Sequence, residues 1–197
     1  MKDPANLEDK LIRKLLEAKG KKHGFRITRR NLFQKINDLT GVRILHLHTS
    51  QIGDIDRELQ QCLAREKYKL RHGPVAKTWD DESRKFFETQ GIETEDSQTQ
   101  YTSVHYEYDV ENITRATFEV QVRTLAEELW GEVDHRINYP HRSGFLECTE
   151  QIAVLARVTS SCSRLVDSIF RSHTHLSGAT PKVAGSSSKG KVHGSSS

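Results

Sequence analysis

The sequence predicts an α/β (α+β) fold in which a mixed β-sheet is flanked by helices. Two observations predict it. Strand-like and helix-like segments are interleaved along the chain, and two strand-like segments, 101–110 and 116–123, follow each other closely enough to form a hairpin. Interleaved strands and helices favour a sheet covered by helices over a helical bundle or a β-sandwich.

The N-terminal half contributes helices and strands in alternation. Leucines at helical spacing, a β-branched strand and an acidic helix start indicate the individual elements. The predicted elements are a helix over 5–18, a strand over 42–48, a helix over 52–63, a short strand over 67–70 and a helix over 80–89.

The two hairpin strands each have one apolar and one polar face, because side chains alternate along a pleated strand. The polar faces carry Tyr101, Ser103, His105 and Glu107 on the first strand, and Thr117, Glu119, Gln121 and Arg123 on the second. Pairing of the strands would bring the two polar faces together. The hairpin therefore predicts a functional site on the sheet.

Two further helices and a tail complete the chain. Leu125, Leu129, Val133 and Ile137 recur at four-residue steps and predict a helix that ends before Pro140. A long final helix follows, with apolar positions from 152 to 169. From residue 174 the composition changes to Ser, Gly and Lys, so we expect one domain over 1–173 and a flexible tail or linker over 174–197.

Composition excludes several classes of protein. The net charge of +3 over 197 residues is too mild for a dedicated nucleic-acid-binding domain. No apolar run approaches the roughly 18 residues that span a bilayer, and we expect a cytoplasmic protein. Cys62, Cys148 and Cys162 lack metal-ligand spacing and are interpreted as core thiols in a reducing compartment. No P-loop or nucleophile-elbow motif occurs.

Charged residues on neighbouring predicted strands indicate phosphate chemistry. Asp38 precedes a buried strand, and with Glu119 it would supply two carboxylates for Mg²⁺, a cation that prefers oxygen ligands. Arg43 and Arg123 suit phosphate oxygens, because the guanidinium can bind them in a bidentate way. Asp38 and the two arginines also have ordinary structural interpretations. Asp38 would mark the boundary of a strand, and the arginines would form surface ion pairs.

Three ordered motifs together resemble the RelA/SpoT synthetase domain over about residues 2–140. They are Asp38-Leu-Thr-Gly-Val-Arg43, Tyr101-Thr-Ser-Val-His105, and Glu119-Val-Gln-Val-Arg-Thr124 followed by Trp130-Gly-Glu-Val-Asp-His135. The resemblance implies a nucleotidyltransferase-like mixed sheet. It also implies an enzyme that transfers pyrophosphate from ATP to the 3′-hydroxyl of GDP or GTP, making guanosine tetra- and pentaphosphate.

The resemblance also implies residue roles. Asp38 and Glu119 would bind Mg²⁺, Glu119 would also be a candidate base for the attacking hydroxyl, and Arg43 would support the nucleotide phosphates in the catalytic site. Tyr101 would stack on the acceptor guanine. The remaining nucleotide-binding residues would be Lys2 and Lys10 for ATP, Ser103 and His105 near the acceptor, Gln121 and Arg123 around the phosphates, and His135 on the following helix.

The sequence departs from the family pattern at both ends of the resemblance. The arginine that usually stands two positions before the residue matched by Lys2 would fall before Met1, which implies an N-terminally short member lacking part of the donor site. Asn6 replaces a common serine, and Tyr139-Pro140 replaces the usual Tyr-Lys.

Two other functions stay open from the sequence. One is a toxin-like pyrophosphorylation of the tRNA 3′ end, for which the basic stretch 19–30 would suit an RNA backbone. The other is a nucleotide-binding regulator without catalysis. A homo-oligomer, or a regulatory or antitoxin partner, is expected alongside the nucleotide substrates.

Overall fold

A computed structural model describes residues 4–17, 27–28, 31–36, 39–110, 116–139 and 142–179. The helices are α1 (Pro4–Glu17), α2 (Leu32–Lys35), α3 (Ile52–Arg65), α4 (Asp81–Thr89), α5 (Leu125–Asn138) and α6 (Leu146–Ala179). The strands are β1 (Gly41–His46), β2 (Lys69–Thr78), β3 (Glu93–Asp96), β4 (Ser103–Asp109) and β5 (Thr117–Thr124). The predicted interleaving of strands and helices is confirmed.

All five strands belong to one mixed sheet in the order β1-β5-β4-β2-β3. β1 runs parallel to β5 and β2 runs parallel to β3, while β4 is antiparallel to both of its neighbours. The predicted hairpin is β4 and β5, whose ends are joined by the Val110 N–H donating to the Ala116 carbonyl at 2.9 Å. The predicted fold class is confirmed.

Side-chain caps fix where α4 and α5 begin. Asp80 accepts a hydrogen bond from the Ser83 N–H at 3.0 Å, and Thr124 accepts one from the Glu127 N–H at 3.2 Å. Each cap satisfies an amide that has no partner within the first helical turn. Because Thr124 is also the last residue of β5, α5 starts directly at the end of the strand that carries the predicted site.

Two apolar clusters cover the sheet and its end. The larger one packs α3 and α4 against the apolar face of the strands, and its most buried members are Ile52, Ala76, Val104, Tyr106 and Val122. The smaller one lies between α5 and α6 and centres on Trp130, Ile152 and Ala156. Trp79, Trp130, Phe86 and Phe87 all belong to these two clusters or pack against them.

Strand β2 is longer than predicted, and β3 was not predicted. The sequence indicated a short strand over 67–70, whereas β2 runs for ten residues through Gly73 and Pro74. Gly73 has a φ of +94°, and the pairing of β2 with β4 shifts register around it. A Gly-Pro pair usually interrupts a strand, but here β2 continues past it because the pairing with β4 shifts register at this point.

Most of the apolar stripe that identified α5 is exposed, and only Val133 of its four members packs against the Trp130 cluster. Leu125, Leu129 and Ile137 are all exposed, whereas Glu127 and Trp130 are buried. The four-residue spacing correctly predicted a helix, but it did not determine which side meets the core.

The interpretation of the cysteines as core thiols is wrong, because Cys62 and Cys162 are exposed and Cys148 is only half-buried. The final helix extends from residue 146 to residue 179, past the change in composition at 174. The division into a domain over 1–173 and a tail over 174–197 stays a prediction. Within the described part of the chain, no helix has the length and apolarity that crossing a bilayer requires.

Candidate active site

A chain of hydrogen bonds joins the polar faces of β4 and β5. The strand register sets His105 opposite Gln121 and Glu107 opposite Glu119. His105 Nδ1 donates to Glu119 Oε1 at 2.7 Å, and Gln121 Nε2 donates to Glu119 Oε2 at 2.8 Å. Both carboxylate oxygens of Glu119 are therefore held in place, and the predicted meeting of the two polar faces is confirmed.

The Tyr101 ring lies at one end of this chain of hydrogen bonds. Its hydroxyl donates to Gln121 Oε1 at 3.2 Å, and the Arg123 guanidinium lies over the ring at 5.4 Å from the centroid. The ring also packs against the cluster around Trp130, and burial raises the pKa of the Tyr101 hydroxyl. In this structure Tyr101 contacts protein side chains, and its stacking on a guanine stays a prediction.

Two arginines and two glutamates connect β1, β5 and α5. Arg43 Nη1 lies 2.8 Å from both Glu128 Oε1 and Glu132 Oε1, and the buried Arg123 pairs with Glu128. Burial lowers the pKa of Arg43, but the two glutamates raise it by more. The hydrogen bond from Arg43 also lowers the pKa of Glu132. The alternative of a surface ion pair therefore describes Arg43 in this structure, whereas the ion pair of Arg123 is buried. Contact of either arginine with phosphates stays a prediction.

A cavity of about 210 Å³ opens beside the His105–Glu119 pair. Its basic lining residues are Lys10 and Lys14 from α1 and Lys77 from β2. His72 and Glu107 also line it. Among the described residues, no hydrogen-bond partner lies at the buried His105 Nε2. The cavity combines positive side chains with a carboxylate and an imidazole, which is the combination that phosphate transfer uses.

Neither Lys14 nor Lys77 was predicted as a site residue, although each has a feature that indicates its position. Lys14 stands four residues after Lys10, so an α-helix places both on one face. Lys77 pairs in register with Ser103 on the neighbouring strand. The prediction ended β2 too early, at residue 70, and so left Lys77 outside the sheet.

The structure does not bring every predicted residue to this cavity. Ser103 is buried, and its hydroxyl donates to the Val122 carbonyl at 3.3 Å. His135 is exposed and stacks on Tyr139 at 4.5 Å between ring centroids. Neither residue lines the cavity beside the His105–Glu119 pair.

Lys2 and Asp38 lie outside the described residues, so their predicted roles stay predictions. The chain nevertheless passes close to Glu119 just after Asp38. The Glu119 N–H donates to the Thr40 carbonyl at 3.1 Å, and Gly41 is the register partner of Glu119.

A second, smaller cavity of about 30 Å³ lies at the end of the sheet, between α4, α5 and α6. It is lined by Glu127, which is 6% exposed. Burial and, to a smaller extent, the charge of Asp80 raise the pKa of Glu127 to about 7, against the opposing charges of Arg123 and Arg164. Burial also lowers the pKa of His46, which lines the same cavity.

A sequence profile described as the region found in RelA/SpoT proteins matches residues 1–144. The chain belongs to the RelA/SpoT family. Among curated protein sequences, none matches this RelA/SpoT chain. The predicted family is therefore confirmed by a match that covers most of the chain, including the hairpin and the residues before it.

Solved structures share the fold of this RelA/SpoT domain. A GTP pyrophosphokinase family protein from Streptococcus pneumoniae superposes with a TM-score of 0.63 at 17% identity, covering 91% of this chain and 77% of that one. Small alarmone synthetase 1 from Bacillus subtilis gives 0.57 at 18% identity, with coverages of 91% and 78%. Small alarmone synthetase 2 from the same organism gives 0.53 at 20% identity, with coverages of 87% and 77%. At these identities the likeness shows the fold.

Proposed function

We propose that this RelA/SpoT domain transfers pyrophosphate from ATP to the 3′-hydroxyl of GDP or GTP. The observation that carries the proposal is the cavity in which Lys10, Lys14 and Lys77 lie around the Glu119–His105 pair. The 3′ oxygen would attack the β-phosphorus of ATP, the bond from that phosphorus to the bridging oxygen on its α-phosphate side would break, and AMP would leave. A structural relative, small alarmone synthetase 1 from Bacillus subtilis, has been solved with its product pppGpp bound, at a TM-score of 0.51 and 18% identity.

The lysines would hold the triphosphate. Three ammonium groups beside one cavity offset the negative charge of a bound nucleotide, and phosphate transfer depends on such positioning and charge stabilisation. Lys10 and Lys14 come from α1, whereas Lys77 comes from β2. The donor phosphates would therefore lie between that helix and the sheet.

Glu119 would accept the proton of the attacking hydroxyl, directly or through one water. Its orientation is fixed by the hydrogen bonds from His105 and Gln121. The carboxylate only accepts hydrogen bonds, so in the neutral form of His105 the ring proton lies on Nδ1 and Nε2 is left as an acceptor for a substrate hydroxyl. His105 would thus position both the base and the acceptor nucleotide.

Glu119 also fits a magnesium ion, because its carboxylate borders the cavity and Mg²⁺ prefers oxygen ligands. No cluster of three or more metal-binding side chains occurs within the described residues. Asp38 is the proposed second carboxylate. When bound, the ion would neutralise phosphate charge.

Labelled ATP tests the proposal. The protein is incubated with β-labelled ATP and Mg²⁺, with GDP, GTP, AMP and deacylated tRNA offered in parallel. Label on GDP or GTP is the expected result. Label on tRNA alone would overturn the proposal in favour of the toxin-like reaction, and tight nucleotide binding without label would favour a regulator.

Glu119→Gln tests the role of the base. A general base contributes about 10²–10⁴-fold to rate, so the variant should lose activity by that factor while its circular dichroism spectrum is unchanged. Asp109→Asn is the matched control, because Asp109 is a carboxylate on β4 that does not line the cavity. Full activity of Glu119→Gln would remove Glu119 from the mechanism.

A further inference from the structure

Arg123 is a buried arginine in the candidate active site. Its side chain is 3% exposed, against 48% for Arg43, the other arginine of the site. Taking a guanidinium out of water is costly unless neighbouring groups offset its charge. The protein therefore supplies the partners of this cation, and a nucleotide phosphate reaches it only if the side chains around it move.

Two residues of α5 fix the position of the Arg123 guanidinium. Glu128 pairs with it through Oε2, while Oε1 of the same carboxylate lies 2.8 Å from Arg43 Nη1. Gly131 leaves the room for it, because a Cβ at this position would lie 2.7 Å from Arg123 Nη1. That distance is well inside van der Waals contact. The guanidinium is therefore held tightly between β5 and α5.

The guanidinium held in this way lies over the ring of Tyr101, at 5.4 Å from the ring centroid. A cation within about 6 Å of the centroid is attracted to the face of an aromatic ring. At its other end, the Tyr101 hydroxyl donates to Gln121 Oε1 at 3.2 Å, and Gln121 donates in turn to Glu119. The ring is therefore fixed at two points, its face by Arg123 and its hydroxyl by Gln121.

We propose that Arg123 is a positioning residue for the acceptor nucleotide and does not contact its phosphates. It acts through Tyr101, by holding the ring in the orientation in which a base stacks on it. This inference rests on the proposed function and takes Tyr101 as the ring on which the acceptor guanine stacks. A ring that is fixed before the ligand arrives loses less conformational freedom on binding, so its preorganisation strengthens binding of the acceptor.

Arg123→Met tests this role, because methionine keeps an unbranched side chain and removes the charge. Glu128 retains Arg43 as its ion-pair partner, so the variant leaves no carboxylate without a cation. The kcat/KM for the acceptor should fall about tenfold, mainly through KM, which is the size of a desolvated cation–π contact. The KM for ATP should stay within about twofold, whereas partial misfolding would lower kcat and leave both KM values unchanged.

Acceptors with different numbers of phosphates separate positioning of the ring from contact with phosphates. GTP, GDP and guanosine are compared on the natural protein and on Arg123→Met, as substrates or as competitive inhibitors. All three carry the same base, so a ring that is no longer held in place should weaken them by the same factor. A loss that is large for GTP and GDP but absent for guanosine would indicate a phosphate contact and would overturn the inference.

A double-mutant cycle tests whether Arg123 acts through Tyr101. In a chain that already carries Tyr101→Ala, Arg123→Met should cause little further loss, because the ring that it positions is gone. Arg84→Met is the matched control, since Arg84 is an ion-paired arginine of α4 that does not line the cavity beside Glu119. It should leave the acceptor constants unchanged. Equal losses for Arg123→Met with and without the Tyr101 ring would overturn the inference.

Arg123→Lys provides the same comparison if Arg123→Met does not fold. Lysine keeps a positive charge beside Glu128 but lacks the planar group that lies on the ring. It should weaken the acceptor about threefold, by the same factor for GTP, GDP and guanosine. A loss confined to the phosphate-bearing acceptors would again overturn the inference.

Calorimetric binding of GDP separates this inference from the proposed function, because it needs no catalysis. A natural protein that binds GDP but transfers no label would remove the proposed function, and about tenfold weaker binding by Arg123→Met would still support the role of Arg123. Transfer of label with GDP binding unchanged in Arg123→Met would overturn only the role of Arg123. A natural protein that does not bind GDP would overturn both.

Discussion

Glu127 should make the stability of this domain fall as the pH rises from about 5 to 7. It is 6% exposed, and burial together with Asp80 raises its pKa to about 7 from an ordinary value of 4.5. The folded state therefore binds the proton more tightly than the unfolded state. This contribution to stability is fully present below pH 4.5 and is lost as the pH rises through about 7.

The size of the effect follows from the pKa values. One pKa unit corresponds to about 1.36 kcal/mol, so a rise from 4.5 to about 7 gives about 3 kcal/mol between low and neutral pH. A domain of this size is commonly stable by about 5–15 kcal/mol, so the loss is easily measured.

Urea unfolding of the natural protein and of Glu127→Gln at pH 5, 6, 7 and 8 measures this contribution. The glutamine imitates the protonated carboxyl, so between pH 5 and 8 the stability of the variant relative to that of the natural protein should rise by about 2.5 kcal/mol. Groups distant from Glu127 titrate in both proteins and cancel in the difference. Glu95→Gln, at an exposed glutamate of β3, should give a difference that is independent of pH. A constant difference for Glu127→Gln across the same range would refute the reasoning.

Three further variants test packing and charge. A Cβ at Gly73 would meet a carbonyl oxygen of β4, so Gly73→Ala should destabilise the domain in urea by more than Gly91→Ala. Gly91 also has a positive φ, but a Cβ there would meet open space, so Gly91→Ala should lower the free energy of unfolding by only about 1–2 kcal/mol. Equal losses of stability for the two variants would contradict the steric argument. Trp130→Phe removes the donor to a buried carbonyl and should lower the free energy of unfolding by about 1–3 kcal/mol. An unchanged midpoint in urea unfolding would contradict this prediction. Lys77→Ala should lower kcat/KM for ATP about tenfold while Lys69→Ala, on the same strand but outside the cavity, should not; equal effects would argue against a donor site at the cavity.

The hairpin shows how much of the site could be predicted from the sequence. Alternation of polar and apolar side chains along a strand is a local property, so the sequence alone places His105, Glu119 and Gln121 on one face of the hairpin. The structure confirmed that face and added the hydrogen bonds that hold Glu119. Lys77 was not predicted to lie in the sheet, because a glycine and a proline interrupt the strand pattern of β2. Only the pairing with the neighbouring strand β4 shows that β2 continues to this residue.

The two C-terminal helices show what the sequence could not predict. Four-residue spacing indicates that a segment is helical, but it does not say which side of the helix meets the rest of the protein. In α5 two leucines are exposed while Glu127 is buried, and in α6 Val154, Val158 and Leu165 are exposed while Ser160 and Ser163 are buried. The same ambiguity misplaced the cysteines, two of which are exposed.

The sequence by itself determined the order of most helices and strands, the polar face of the hairpin and the resemblance to the RelA/SpoT family, because these depend on neighbours along the chain. Only the tertiary structure decided which partners those residues have. It places Lys10, Lys14 and Lys77 beside Glu119 and pairs Arg43 and Arg123 with glutamates of α5. Such pairings join residues far apart in the chain, so they depend on strand register and helix packing and not on local spacing.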